Sequence, residues 1–256
     1  MEQVERLLAE QASYYRARAR EYDDWWFRRA RYDHGPDANA RWFADAAEVQ
    51  VALERFDPAG DVLELACGTG LWTQRLAPHA TSVTAIDGSP EMLERCRARV
   101  NDPHVSYAHA DLFAWEPDRT YDVSFFSFWL SHVPEDRFET FWEKVRRAVG
   151  SEGRVFFVDS LRVEKASAID HTLPDQDEET MLRRLADGRE YQIVKRFHEP
   201  EPLQQRLAGS AGPPTFRGHP NSSSTGTPRQ PRSILAAVRP SAGGRSLIGR
   251  ALLADL

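Results

Sequence analysis

Between Val62 and Asp159 the chain alternates short apolar runs with stretches of helical spacing. The runs are Val62–Ala66, Ser82–Asp87, Val105–Ala108, Tyr121–Ser127 and Arg154–Asp159. Helical patterning fills roughly Leu71–Pro78, Pro90–Val100 and Glu135–Val149. Continuous apolar runs mark strands buried on both faces. Strand–helix alternation with right-handed crossovers predicts an α/β fold, a doubly wound and mainly parallel sheet. Ligands of such sheets sit beyond the carboxyl ends of the strands. The residues just after each strand are therefore the ones that carry chemistry.

The flanks differ from this core. Residues 1–57 read as N-terminal helices, one over 2–21 and one over Asp37–Arg55. The core is expected over 58–208, where Glu190–Phe197 reads as a further strand and Pro202–Leu207 as a helix. Residues 209–256 hold six Arg, one acid and many Gly, Pro and Ser, a composition that predicts a disordered tail without strands. Codon degeneracy in Pro220–Gly226 also permits a shifted reading frame encoding Glu-Phe-Phe-Leu-Tyr-Gly, an aromatic strand of the kind such a sheet would need at its edge.

Several function classes are disfavoured. No apolar run reaches the roughly 20 residues of a membrane span. The acidic start MEQVERLLAE is unlike a secretory signal. Two cysteines, Cys67 and Cys96, give neither a disulfide scaffold nor a zinc cluster and suit a cytoplasmic location. No metal is expected. A net charge of −6 and the lack of a basic stripe argue against nucleic acid. Oligomeric state is not legible.

The strongest motif is Val62-Leu63-Glu64-Leu65-Ala66-Cys67-Gly68-Thr69-Gly70, a strand ending in a small-residue turn. Gly68 and Gly70 let backbone approach a ligand closely. Seventeen residues after Gly70, Asp87 ends the second strand in Asp87-Gly88-Ser89-Pro90. A carboxylate there can accept both hydroxyls of a ribose, with Ser89 left to cap the following helix. A dinucleotide binder would carry G-x-G-x-x-G; here Leu71, Trp72 and Thr73 follow Gly70, and Trp72 is expected to crowd a pyrophosphate.

The Glu-x-Ala-x-Gly-Thr-Gly pattern resembles the first motif of class I S-adenosylmethionine-dependent methyltransferases, with Ala66 in place of the usual first Gly. His109-Ala110-Asp111-Leu112-Phe113 is similar to the family's segment after the third strand. Phe128-Trp129-Leu130-Ser131-His132-Val133-Pro134 resembles its segment after the fourth. Tyr14-Tyr15 and Ala19–Asp23 are similar to the N-terminal lid of the ubiquinone/menaquinone-biosynthesis-like branch. The resemblance implies a Rossmann-like methyltransferase fold with a helical lid and S-adenosylmethionine as cofactor. It also implies roles. Glu64, Ala66, Gly68 and Gly70 would line the methionine side. Asp87, with Gly88 and Ser89, would hold the ribose, and Met92, Asp111 and Leu112 would frame the adenine. Ser127 and Phe128 would approach the sulfonium. Tyr15 and Tyr22 are either lid residues or helix-face packing.

His132 is the candidate general base, because it follows the fourth strand and titrates near neutrality when unperturbed; backbone-satisfied packing is the alternative. His34 is a weaker candidate. Trp25-Trp26-Phe27 suits either a wall for an apolar substrate or helix docking. Arg28, Arg29 and Arg31 suit either an anionic substrate or a solvated face. No Asn/Asp-Pro-Pro-Tyr and no Pro-Cys follow the fourth strand. These absences disfavour nucleobase methylation and leave a small-molecule acceptor. A nicotinamide-dependent oxidoreductase and a non-catalytic cofactor-binding protein are the rival readings.

Overall fold

The computed structural model describes residues 2–175, 178–209 and 232–238. Three helices come first: α1 (Glu2–Arg18), α2 (Tyr22–Trp26) and α3 (Pro36–Phe56). Then follow β1 (Asp61–Leu65), α4 (Thr73–Leu76), β2 (Ser82–Asp87), α5 (Pro90–Arg99), β3 (Val105–His109), β4 (Val123–Ser127), α6 (Glu135–Val149) and β5 (Arg154–Ser160). Beyond the core lie β6 (Thr180–Arg184), β7 (Glu190–Val194), α7 (Pro200–Gly209) and β8 (Arg232–Val238).

The main sheet runs β3-β2-β1-β4-β5-β8 with every pair parallel. The chain winds outward from β1 to β3, then returns to β4 beside β1. That reversal opens a crevice at the carboxyl ends of β1 and β4. The α/β doubly wound fold with N-terminal helices is the one the sequence predicts.

Strand pleating sorts the core into two layers. On one face Val62, Val83, Phe125 and Phe156 pack with Val49, Leu53 and Phe56 of α3 and with Leu93 and Cys96 of α5. On the other, Leu63, Leu65, Phe126 and Phe157 meet Phe138, Phe141, Trp142 and Val145 of α6. Neighbouring strands pair Phe125 with Phe156 and Phe126 with Phe157, and both ring pairs stack, at 5.9 and 5.0 Å. Burial of a Phe contributes about 1.5–3 kcal/mol, so these four rings anchor the centre of the sheet.

Local chemistry fixes the helix starts that frame the crevice. Ser89 caps α5 by accepting from the Met92 amide at 3.2 Å, and Pro90 occupies the first turn. Gly35 at φ +86° precedes Pro36 at the start of α3.

Several boundaries depart from expectation. The first helix does not run to residue 21: it stops at Arg18, turns, and restarts as α2, which swings Tyr22 back over the β1 turn. The helix expected over Leu71–Pro78 shrinks to Thr73–Leu76. β6 has no counterpart in the sequence reading. It pairs antiparallel with β7, and this hairpin closes over α1 around Tyr14, Met181, Leu185 and Ile193. The sequence reading placed no strand after Ala208, yet the backbone of Arg232–Val238 pairs with β5. That seven-residue stretch holds an apolar run, Ile234–Val238, which a composition averaged over the tail conceals. The shifted-frame segment Pro220–Gly226 lies outside the described residues.

Candidate active site

The turn after β1 is built from left-handed backbone. Ala66 has φ +54°, Gly68 +56° and Gly70 +84°. Gly70 is glycine for a packing reason: a Cβ there would stand 2.8 Å from Cys96 Sγ and 3.2 Å from its Cα. Ala66 carries a Cβ in a conformation that L-residues avoid. The Gly68 amide donates to Asp87 Oδ2 and the Ser89 amide to Oδ1, each at 2.8 Å. Asp87 therefore ties the β1 and β2 turns together. Both oxygens are engaged, yet each keeps a lone pair for a further donor. Burial pushes the Asp87 carboxyl up to about 6, against the pull of the Ser89 and Gly68 amides.

These turns face a cavity of about 460 Å³. Tyr15, Tyr22, Ala66, Gly68, Asp87, Gly88, Ser89, Met92, Asp111, Leu112, Ser127, Phe128 and His132 all line it. Two expected residues do not. Glu64 points behind the turn, where Thr73 Oγ1 donates to it at 2.6 Å; burial holds its carboxyl well above the usual range. Gly70 is spent on the close approach to α5. Gln11 and Arg16 also line the cavity, with no sequence signal pointing to them, as do His109, Phe113 and Trp129, which belong to the matched segments but carried no assigned role. Asp111 stands at its exposed rim and accepts from the Phe113 amide at 2.9 Å.

The N-terminal helices are fastened to the β1 turn, to α5 and to the turn after β4. Asp23 of α2 accepts from Thr69 Oγ1 at 2.6 Å and pairs with Arg99 at the end of α5. Tyr15 of α1 donates its hydroxyl to His132 Nε2 at 2.9 Å, while His132 Nδ1 donates to the Val194 carbonyl at 2.7 Å. The carbonyl only accepts, so the network places the ring proton on Nδ1 and leaves Nε2 as acceptor. Burial and then the Lys195 charge hold His132 well below its ordinary range. His132 is thus a neutral ring with both nitrogens engaged.

Behind this pair lies a second, inner chamber of about 40 Å³. It shares Tyr15, Tyr22, Phe128 and His132 with the larger cavity, so these four side chains form the partition. Its remaining walls include Arg18, Arg183, Lys195, Ser160, Ser167 and Trp25. Arg18 is 6% exposed, Arg183 8% and Lys195 4%.

A family model described as a methyltransferase domain matches residues 62–153. The solved DhpI-SAH complex is 42% identical, covers 80% of this chain and 87% of that one, and superposes with a TM-score of 0.62. The DhpI-SAM-HEP complex is 43% identical over 79% of this chain and 88% of that one, with a TM-score of 0.63. The chain belongs to the class I S-adenosylmethionine-dependent methyltransferases. Among curated relatives, nodulation protein S of Rhizobium tropici is 36% identical over 67 residues, which is 26% of this chain and 28% of the relative. The chain spans about a quarter to a half of the length of the first such relatives.

Within this methyltransferase, two sequence arguments change. Trp72 does not crowd the cavity. It is buried in the core between Trp26, at 5.6 Å, and Phe125, at 5.5 Å. The dinucleotide reading is therefore set aside by family membership and not by that side chain. The Trp25-Trp26-Phe27 cluster also divides. Trp25 lines the inner chamber, with its ring 4.7 Å from Phe128. Trp26 packs among Trp42 and Trp72, and Phe27 is exposed. His34 lines neither cavity and bonds the Ser167 carbonyl oxygen at 2.8 Å. Arg28, Arg29 and Arg31 are also absent from both linings.

Proposed function

We propose that the protein transfers a methyl group from S-adenosylmethionine to a small molecule seated in the inner chamber. One observation carries this: a nucleoside-sized cavity and a smaller polar chamber meet at a single partition of Tyr15, Tyr22, Phe128 and His132. The residues fit the cofactor. Asp87 keeps lone pairs for ribose hydroxyls, Met92 and Leu112 offer apolar surface for adenine, and the cavity volume falls within the usual ligand range. When bound, S-adenosylmethionine supplies an electrophilic methyl on a sulfonium.

The chain contributes alignment and dryness. The Asp23–Thr69–Arg99 fastening holds the lid against bulk water. Tyr15 and Phe128 stand between the two spaces, where an acceptor atom must line up with the methyl. Orientation of this kind contributes roughly 7–11 kcal/mol to lowering a barrier. The complexes of DhpI with SAM and HEP and with SAH support a small-molecule acceptor here. The ubiquinone/menaquinone-like branch and a cytoplasmic location belong to this proposal as its finer parts.

Calorimetry with S-adenosylhomocysteine tests the cofactor half, and Asp87→Ala is expected to weaken binding at least tenfold. Methyl transfer to a panel of small metabolites tests the other half. Binding without turnover on any of them would favour a non-catalytic cofactor-binding protein. NADH binding in place of S-adenosylhomocysteine would overturn the assignment.

A further inference from the structure

The inner chamber has an unusual charge balance. Arg18, Arg183 and Lys195 are nearly fully buried, and among the described residues none forms a salt bridge with a carboxylate. Their recorded partners are neutral. Arg18 Nη2 donates to the Tyr32 hydroxyl at 3.2 Å, Arg183 Nη1 to His171 Nδ1 at 2.8 Å and Lys195 Nζ to Ser131 Oγ at 2.8 Å. Asp159 is the acidic group nearest in influence to Lys195, and its two oxygens take the Ser131 and Ser160 amides at 2.7 Å. Arg18 Nε and Arg183 Nε are buried with no partner at all. Uncompensated buried charge is costly, and arginines and lysines are almost never buried unless paired. Exposed cations of the same protein, such as Arg119, Arg147 and Arg189, do find carboxylates.

We propose that the inner chamber is an oxyanion subsite formed by Arg18, Arg183 and Lys195, and that the methyl acceptor is a small oxyacid bound there. This rests on the methyltransferase reading above and names its substrate class. A chamber of about 40 Å³ suits a compact anionic group. Ser160 and Ser167 add hydroxyls to the same lining. The anion would supply the charge partner that Arg18 and Arg183 lack, and would add to the Asp159 charge already acting on Lys195.

The chemistry balances without a base. An oxygen lone pair of the acid forms the new C–O bond, and the methyl–sulfur bond breaks with its electron pair going to sulfur. The acid loses one negative charge, the sulfonium loses its positive charge, and no proton is released. A neutral His132 with both nitrogens occupied suits such a reaction, since nothing has to be deprotonated.

The test uses the full chain saturated with S-adenosylhomocysteine, titrated separately with inorganic phosphate, sulfate and acetate, with methylamine as the cationic control. At least one oxyanion is expected to bind saturably, and methylamine is not. Lys195→Met and Arg183→Met are expected to weaken that anion at least tenfold while changing S-adenosylhomocysteine affinity less than twofold. Arg183→Lys, which keeps the charge, should retain most of the binding. Phosphate or sulfate binding would indicate a tetrahedral acid, and acetate binding a carboxylic one. Failure of all three oxyanions to bind a chain that still takes S-adenosylhomocysteine would overturn the subsite and leave the cofactor reading standing. Equal anion affinity in folded Met variants would overturn it too. Loss of S-adenosylhomocysteine binding with anion binding intact would instead strike the cofactor reading.

Discussion

Tyr15 and His132, 117 positions apart in the chain, meet through a 2.9 Å hydrogen bond at the wall between the two spaces. The bond joins the first helix to the turn after β4, and His132 passes the connection on to Val194 of the hairpin. Three segments distant in sequence are thereby locked at the point where donor and acceptor would meet. A charged imidazole would disrupt the Tyr15 bond, because Nε2 could then no longer accept, while Nδ1 would keep its bond to the Val194 carbonyl.

That arrangement fixes a pH dependence of stability. His132 is held below its ordinary value of 6.5 in the folded chain, so the unfolded chain binds more protons as pH falls through about 6.5. Folded stability is full above that value and is lost as the solution turns acidic. Burial holds His171 down to about 3 as well, so it adds to the same slope. His132→Asn, which keeps a donor for Val194, is expected to flatten part of this acid loss. Thermal midpoints measured across the range would refute the assignment if wild type and variant fell in parallel.

Asp87 gives a second pH dependence, this time of ligand affinity. Its carboxyl is pushed up to about 6, and the ionised form is the stronger acceptor for ribose hydroxyls. S-adenosylhomocysteine should bind more weakly as pH drops through about 6. Asp87→Asn should bind weakly throughout, without that step. A variant that keeps the step would shift its origin to another group.

The left-handed Ala66 predicts a stabilising substitution. At φ +54° its Cβ costs about 1–2 kcal/mol, part of which glycine returns as greater freedom of the unfolded chain. Ala66→Gly is expected to raise stability by roughly 1 kcal/mol. In urea this appears as a later midpoint with unchanged slope. An earlier midpoint would show that the methyl group packs better than the backbone suffers.

Asp23 predicts a kinetic effect. Its bonds to Thr69 and Arg99 hold α2 against the β1 turn and α5. Asp23→Asn removes the charge and is expected to speed dissociation of S-adenosylhomocysteine several-fold, with little change in thermal midpoint. Stopped-flow dissociation rates resolve this, and an unchanged rate would mean that the lid is held by its aromatic packing alone.

Sequence reading reached the core because its signal is local. The central strands β1, β4 and β5, buried on both faces, announce themselves as apolar runs, and the β1 and β2 turns carry glycines and an acid at fixed spacing. Glu64 lies outside the cavity lining because its motif position says nothing about which way its side chain turns; Thr73 and burial decide that. β6 went unnoticed because Thr-Met-Leu-Arg-Arg alternates only weakly and ends in charge. The arginines singled out for an anion were adjacent ones, Arg28, Arg29 and Arg31. The structure gathers Arg18, Arg183 and Lys195 instead, from a helix and a hairpin far apart in the chain. Burial of a cation is a property of the assembled fold, and no window of residues encodes it.

The matched methyltransferase domain runs from 62 to 153, yet Arg18, Arg183 and Lys195 all fall outside it. The first helix serves both spaces, since Tyr15 lines each of them, whereas the 180–195 hairpin lines the inner chamber alone. Exchanging that hairpin by itself is therefore the change expected to alter the acceptor while leaving the walls of the methyl-donor cavity in place.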